Sequence, residues 1–443
     1  MVTTTEPGSE VNRAELTSYE EVTFEKIEKL SARLGRMMDQ MRSKGWAPIN
    51  EKTAPHFNQS QLAALCNLKL DAMIRRLAKA KDYGLPEGRS ILEVDKTFEG
   101  ADRKVWTLAE ARRWIIECVK PYRRKPGQKA CVITTALFKG GVAKTVTSVS
   151  LAQALTLLGY RTLLIDLDPQ ASASTLAGVK DADEGMTLLP IFRPKLTPDD
   201  IERARTLESL TSKAEGREYE EPFPEGATNL PRDTVKESIN PTYWDGMDVI
   251  AANRSLFGAE FMLPSRQMRE EGFEFWNVMR SALDDGTLDA YDFVIIDTPP
   301  ALSYVTMNAL WAGDGVLMPL PPEGLDIASS SQYWTMFVEL ASLVPKEKKS
   351  FKFINVLPTK VDQTKPTTGK LLSVIRQAYG AMVLPVEVPT SVVVSTSGTT
   401  FKTVYDITRY AGAQKTYQRA REAFDKVALE LEKQARLACW KEA

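Results

Sequence analysis

Lys139-Gly140-Gly141-Val142-Ala143-Lys144-Thr145 is the segment of this chain whose residue types and spacing point most directly to chemistry. Adjacent glycines let backbone N–H groups wrap an anion at the positive end of a following helix. Lys144 can then reach the β- and γ-phosphates of a nucleotide, and the Thr145 hydroxyl suits Mg2+. Three aspartates close apolar runs elsewhere: Asp166 and Asp168 after Thr162-Leu-Leu-Ile, and Asp297 after Phe293-Val-Ile-Ile. Each alone reads as a strand-end cap. Three of them beside a phosphate loop favour a place at the phosphates, since phosphoryl transfer needs orientation and charge neutralisation more than covalent help.

These groups need a scaffold, and the hydrophobic pattern supplies one. Cys131 to Ala136 reads as a buried strand entering the loop, and a helix runs from Thr145 to Leu158 and stops at Gly159. Short apolar runs at 161–166, 247–253, 291–297, 315–319, 353–358 and 382–386 alternate with helical stretches. That alternation predicts an α/β fold, a doubly wound and mostly parallel sheet covered on both faces, with ligand at the carboxyl edge of its strands.

Composition bounds the rest. With 443 residues, 57 basic against 58 acidic side chains and 43% apolar residues, the chain has the make-up of a water-soluble protein of two or three domains. It has no run of 18 apolar residues and no apolar signal core at its start, so neither a membrane span nor secretion is expected. Four cysteines, Cys66, Cys118, Cys131 and Cys439, lie far apart, so spacing supports neither a zinc ribbon nor a disulfide framework. The lone His56 excludes a site needing two imidazoles. Charge is uneven: residues 46–129 hold 17 basic and 10 acidic side chains, whereas 181–237 holds 8 and 14. A basic first third suits a polyanion; the acidic insertion carries no readable motif.

The K-G-G-x-x-K-T pattern resembles the deviant Walker A loop of the ParA/MinD superfamily. There the first lysine, here Lys139, crosses an ATP-sandwiched dimer to the partner's phosphates. Asp166-Leu-Asp168-Pro-Gln170 resembles switch I of that family, and Asp297-Thr-Pro-Pro300 its Walker B end and switch II. The resemblance spans residues 128–443 and implies a P-loop fold using ATP/ADP and Mg2+. It places Lys139, Gly140, Gly141, Val142, Ala143, Lys144, Thr145 and Val146 around the phosphates, and Asn355 and Pro358 near the adenine. It assigns Thr145, Asp297 and Asp166 to the metal, Asp297 through a bound water. Asp166 and Asp168 would face the γ-phosphate, with Asp168 positioning the attacking water. Two positions depart from the family pattern: Ala143 stands where glycine is usual and Val146 where threonine is. A Cβ at 143 narrows the backbone's options.

Upstream, Ser18 and Glu21 fit a capping box, and Ile27, Leu30, Leu34, Met37 and Met41 make a heptad stripe ended by Gly45, Trp46 and Pro48. Residues 1–45 therefore read as a dimerisation helix. Asn58 to Lys81 reads as two helices around a tight turn at Cys66-Asn67-Leu68, where Asn67 tolerates positive φ. Leu62, Leu65, Leu68, Ile74 and Leu77 would form the small core, leaving Lys69, Asp71, Arg75, Arg76 and Lys79 outward, where the cations can meet a major groove. Expected strands at Ser90–Val94 and Val105–Thr107 resemble a wing, so residues 46–122 read as a winged helix-turn-helix domain. A basic hinge at 120–127 follows.

The layout is similar to the longer plasmid-partition ParA proteins. That resemblance implies a cytoplasmic, nucleoid-associated homodimer: Mg–ATP drives a sandwich dimer that binds DNA without sequence preference, a ParB-like centromere-binding partner stimulates weak hydrolysis, and the N-terminal domain represses the partition operon at its operator. Lys365, Lys370, Arg376 and Lys402, with Lys360 nearby, either hold that second DNA or form a solvated face. Two alternatives stay open: a transcription regulator switched by nucleotide, and a relative that positions another intracellular cargo. A membrane positioner is disfavoured because 419–443 lacks a basic amphipathic tail. An iron-protein-like reductase is disfavoured because Cys131 and Cys439 are the only cysteines in the ATPase part.

Overall fold

The computed structural model describes residues 23–43, 52–96, 98–223, 230–342, 349–390, 402–407 and 414–441. It divides into a unit of residues 1–49 and a unit of residues 50–443.

In the first unit, α1 (Phe24–Ser43) carries the expected stripe. Phe24, Ile27, Leu30, Leu34 and Met37 are all exposed, 47 to 85% of their surface open. The helix starts behind Thr23, whose hydroxyl accepts from the Lys26 N–H at 3.4 Å. The Ser18–Glu21 capping box, the Gly45-Trp46-Pro48 stop and the Met41 side chain lie outside the described residues.

The second unit begins with β1 (His56–Phe57), α2 (Gln59–Leu65), α3 (Leu70–Leu77), β2 (Arg89–Ser90), α4 (Ile91–Val94), β3 (Lys104–Thr107) and α5 (Leu108–Val119). Asn58 caps α2 through a reciprocal capping box with Gln61, which satisfies two otherwise orphaned N–H groups. Asn67 takes φ 54° in the turn between α2 and α3, as its side chain allows. The strands form an antiparallel sheet in the order β1-β3-β2.

Sequence and structure part company at three points here. The buried residue of α3 is Met73, while the expected Ile74 is exposed: neighbouring positions on a helix point about 100° apart, so the face turned to the core is the one that carries Met73. Ser90–Val94 is not a strand: after the two residues of β2, the Ser90 hydroxyl caps the helical turn α4 by accepting from the Leu92 N–H. The basic hinge is docked. Tyr122 stacks on Trp440 with centroids 5.7 Å apart, and Arg124 binds Asp292 and the carbonyls of Gln128, Leu288 and Asp289.

The larger sheet comprises β4 (Cys131–Thr135), β5 (Thr162–Asp166), β6 (Asn240–Pro241), β7 (Met247–Ile250), β8 (Phe293–Asp297), β9 (Gly315–Leu320) and β10 (Phe353–Pro358). Its order is β10-β9-β4-β8-β5-β7-β6, parallel throughout except for the edge strand β6. The run at 382–386 does not extend it. Only Val383 bridges Val356, and Pro385 has no N–H to continue a ladder.

Helices cover both faces, so β4, β5 and β8 are apolar and buried along their length. One face packs α6 (Lys144–Leu157) and the C-terminal helix, where Phe424, Val427 and Leu431 are fully buried. The same core continues into Trp106, Trp114 and Ile115 of the N-terminal module. Arg112 of α5 joins the two directly, donating to the carbonyls of Thr156 and Tyr160 at 3.1 and 2.8 Å and pairing with Asp245 at 2.6 Å. Gly246 makes room for that guanidinium: an added Cβ would lie 2.1 Å from it. The opposite face of the sheet packs Leu188, Leu189, Ile191 and Phe192, so the first part of the acidic insertion builds core. Its surface helix, Pro198–Glu215, is starred with ion pairs such as Arg205–Glu221 and Arg217–Glu208.

Candidate functional site

Parallel pairing of β4, β8 and β5 sets Thr135 against Asp297 and Asp297 against Asp166, so the phosphate loop and both aspartates leave one edge of the sheet together. The loop turns through two left-handed residues, Gly141 at φ 75° and Ala143 at φ 73°. Glycine takes that conformation freely, whereas a residue with a Cβ is strained by about 1 kcal/mol or more. Ala143 therefore keeps the loop's path at a local cost. Val142 is buried, and its carbonyl accepts from the Thr359 hydroxyl at 3.2 Å, which ties the loop to the end of β10.

Lys144 opens α6 and is buried, its ammonium donating to the Lys139 carbonyl at 2.9 Å. Burial holds its pKa below the ordinary lysine value, while the Asp297 and Asp168 charges act against that shift. Asp297 is wholly buried. One carboxylate oxygen accepts from the Ser148 hydroxyl at 2.8 Å, and Thr145 also donates to the group. Its other oxygen, Oδ2, has no hydrogen-bond partner among the described residues. Desolvation pushes the Asp297 pKa up to about 6, with Ser148, Thr145 and Lys144 pulling the other way. An orphaned buried carboxylate oxygen beside a threonine hydroxyl is a hard-oxygen donor set, and it fits Mg2+.

Asp166 has a different environment. It accepts from the backbone N–H of Asp168 at 3.0 Å and from the N–H and hydroxyl of Ser174, both at 2.8 Å. Three donors fix the turn after β5 around it. Desolvation and the nearby Asp297 charge still push its pKa up to about 7. Asp168 is half-buried, and its carboxylate accepts from the Gln170 N–H at 2.9 Å. Lys139 forms an ion pair with Asp326, a buried carboxylate in the first turn of the helix Gly324–Ala341.

The remaining site candidates fall into two groups. Val146 packs partly buried on α6, and Pro358 ends β10 at the same carboxyl edge. Asn355 sits mid-strand instead, its amide exchanging hydrogen bonds with Gln434 of the C-terminal helix at 2.7 and 3.3 Å. On the N-terminal module Lys69, Arg75, Arg76 and Lys79 are exposed, and among the described residues no carboxylate pairs with them. Arg76 donates to the Cys118 sulfur at 3.3 Å. Of the other cations, Lys365 pairs with Glu323 at 3.4 Å and Arg376 pairs with Glu387, while Lys370 and Lys402 are exposed. The loop 395–400 beside Lys402 lies outside the described residues.

Ser148, Ser174, Asp326 and Gln434 were not singled out from sequence. Ser148 alone had a local signal, lying one helical turn beyond Lys144. Ser174 lies only eight residues beyond Asp166, whereas Asp326 and Gln434 meet Lys139 and Asn355 across long stretches of chain.

Comparison with known proteins gives a consistent result. An AAA domain family model matches residues 130–349. A Sinorhizobium fredii protein carrying the name replication protein A is 30% identical over 328 residues, covering 73% of this chain and 71% of its own. The chromosome partitioning protein ParA of Caulobacter vibrioides is 28% identical over 310 residues, 69% of this chain and 97% of its own. Among solved structures, one titled as a partition protein covers 93% of this chain and 98% of its own with a TM-score of 0.59, at 18% identity. That last likeness is one of fold, and it extends over the N-terminal module as well as the sheet.

Proposed function

Because the chain belongs to the family of ParA-type partition ATPases, we propose that it segregates DNA by an ATP-driven cycle and also binds its own operator. The single observation that carries the ATPase reading is the meeting of Lys144, Thr145 and the unpartnered Oδ2 of Asp297 at one strand edge. Thr145 and Asp297 would hold Mg2+ there, which would supply charge neutralisation for the phosphates. Gly140, Gly141 and the start of α6 offer N–H groups to the phosphates, and Lys144 is the countercharge. Asp168 lies close enough to both Lys144 and Asp297 for their charges to interact, which suits it to orient a water. Asp166 serves by holding the switch turn in shape.

Lys139 has a choice of partners in this reading. In the single chain it is paired with Asp326; in a nucleotide sandwich it exchanges that carboxylate for the phosphates held by a second copy. The exposed stripe of α1 gives the chain a separate means of pairing. The two-helix module with its three-stranded sheet serves as a winged helix-turn-helix, with Lys69, Arg75, Arg76 and Lys79 facing operator DNA. Lys370 and Lys402 suit sequence-independent DNA binding, and a ParB-like partner accelerates turnover. The strained Ala143 does not favour a nucleotide-switched regulator lacking hydrolysis, since the loop still follows a left-handed path.

The test is paired calorimetry and turnover. Lys139→Ala should bind Mg–ATP as the parent does while losing DNA-stimulated hydrolysis. Asp326→Asn should turn over faster than the parent, because the lysine is released. Unchanged turnover in Lys139→Ala would contradict the sandwich.

A further inference from the structure

The four cysteines, scattered in sequence, meet as two thiol pairs. Cys66 and Cys118 hydrogen-bond within the N-terminal module. Cys131 and Cys439, 308 residues apart, bring their sulfurs within 3.1 Å. That is about 1 Å beyond the ~2.05 Å of a formed disulfide.

Both members of this second pair are held in place independently. Cys131 opens β4, its N–H donating to the Asp292 carbonyl at 2.9 Å and its backbone in register with Phe293. Cys439 closes a π-helical turn, Ala435–Cys439, sealed by the Trp440 N–H donating to the Ala435 carbonyl at 2.9 Å. Ala435 before it and Trp440 after it are fully buried, and the Trp440 indole N–H reaches the Lys129 carbonyl at 3.0 Å. Neither sulfur needs a change of fold to reach the other. Asp314 stands beside them, with one oxygen occupied by the Val132 N–H at 2.9 Å. Cys131 is shut away from solvent, whereas Cys439 is partly open.

We propose that Cys131 and Cys439 are a reversible disulfide site that fastens the end of the chain to the strand feeding the phosphate loop. A small-molecule disulfide such as oxidised glutathione is the oxidant. The Cys439 thiolate attacks one of its sulfurs, forming a mixed disulfide and expelling one glutathione thiolate. The Cys131 sulfur then attacks the Cys439 sulfur, its proton passes to the second departing glutathione, and the protein disulfide forms. Two protein thiols lose two electrons and two protons, and one glutathione disulfide becomes two thiols. The asymmetry in exposure sets the order: the partly open Cys439 thiolate meets the oxidant first, and the buried Cys131 resolves the mixed disulfide. Because the link closes a loop of about 300 residues, it also restrains the unfolded chain.

The test uses the full chain, undenatured, incubated with oxidised glutathione, then alkylated and digested with trypsin without reduction. The expected product joins peptide 130–139 to peptide 437–441 with the loss of two hydrogens, and dithiothreitol returns the separate peptides. The thermal midpoint should rise by roughly several degrees in the oxidised protein. Cys439→Ser should lose both the link and the rise, whereas Cys66→Ser should keep both. A Cys439–glutathione adduct that persists with Cys131 still alkylatable, or a link from Cys439 to Cys66 or Cys118, would overturn the assignment.

Discussion

The nucleotide edge of the sheet and the basic face of the N-terminal module are built on opposite principles. At the sheet edge a few groups are buried, fixed by backbone and hydrogen-bonded to named partners: Lys144 to the Lys139 carbonyl, Asp297 to Ser148, Asp166 to Ser174. On the module Lys69, Arg75, Arg76 and Lys79 project into water, carried by α3 and its flanks. Chemistry on phosphate demands preorganised charge, so each group there is committed before ligand arrives. In the proposed function, DNA recognition would let long side chains settle on their target, so the module need commit only the position of α3.

This contrast predicts how the two regions fail. Lys144→Ala removes the countercharge of a buried site and should weaken Mg–ATP binding by about 3 kcal/mol or more, roughly 100-fold, by titration calorimetry. Operator binding without nucleotide should survive it. Arg75→Ala together with Arg76→Ala should do the reverse, costing about 1–3 kcal/mol for each base-edge interaction removed while leaving turnover intact. If either change crossed over and damaged the other region's activity, the separation would be wrong.

A smaller effect sharpens the comparison through pH. Desolvation pushes the Asp166 and Asp297 carboxyls up to about 7 and about 6, above the free carboxylate range. The folded state therefore binds more protons than the unfolded one between about pH 4 and 7. This pair's contribution favours folding at low pH and is lost as pH rises through those values. Mg2+ needs Asp297 ionised, so added Mg–ADP should raise the unfolding temperature more at about pH 7.5 than at about pH 5.5. Asp297→Asn should flatten that difference; an equal shift at both pH values in the parent would refute the metal assignment. No such dependence is expected of the exposed arginines.

The smallest expected effect concerns strain. Ala143 sits at φ 73°. Ala143→Gly should therefore stabilise the chain by about 0.5 kcal/mol in urea unfolding, relief of the left-handed strain being partly offset by glycine's freedom when unfolded. A loss of stability would mean that the Cβ packs favourably enough to outweigh the strain.

The same contrast explains what the sequence made legible. The phosphate loop, its strand and its helix are contiguous, and the aspartates end apolar runs, so periodicity and residue type located them and the α/β order followed. The Asn67 turn was readable for the same local reason. Asp326, Gln434 and the Cys131–Cys439 pair were not, because each interaction joins segments that only the finished sheet brings together. Asn355 illustrates the cost: its strand was placed correctly, but its amide is taken by Gln434. On the basic face, charge counting found the cations but not their partners. Lys365 and Arg376 are ion-paired with Glu323 and Glu387, a distinction composition does not make.

Whether nucleotide governs the grip on DNA is decided most plainly by retention of random-sequence DNA by the full chain with Mg–ATP, with Mg–ADP and without nucleotide, in parallel with Lys144→Ala. Strong, salt-sensitive retention is expected with Mg–ATP alone and should be absent in the variant. Equal retention in all three conditions, or none except on a single operator sequence, would contradict an ATP-driven partition cycle.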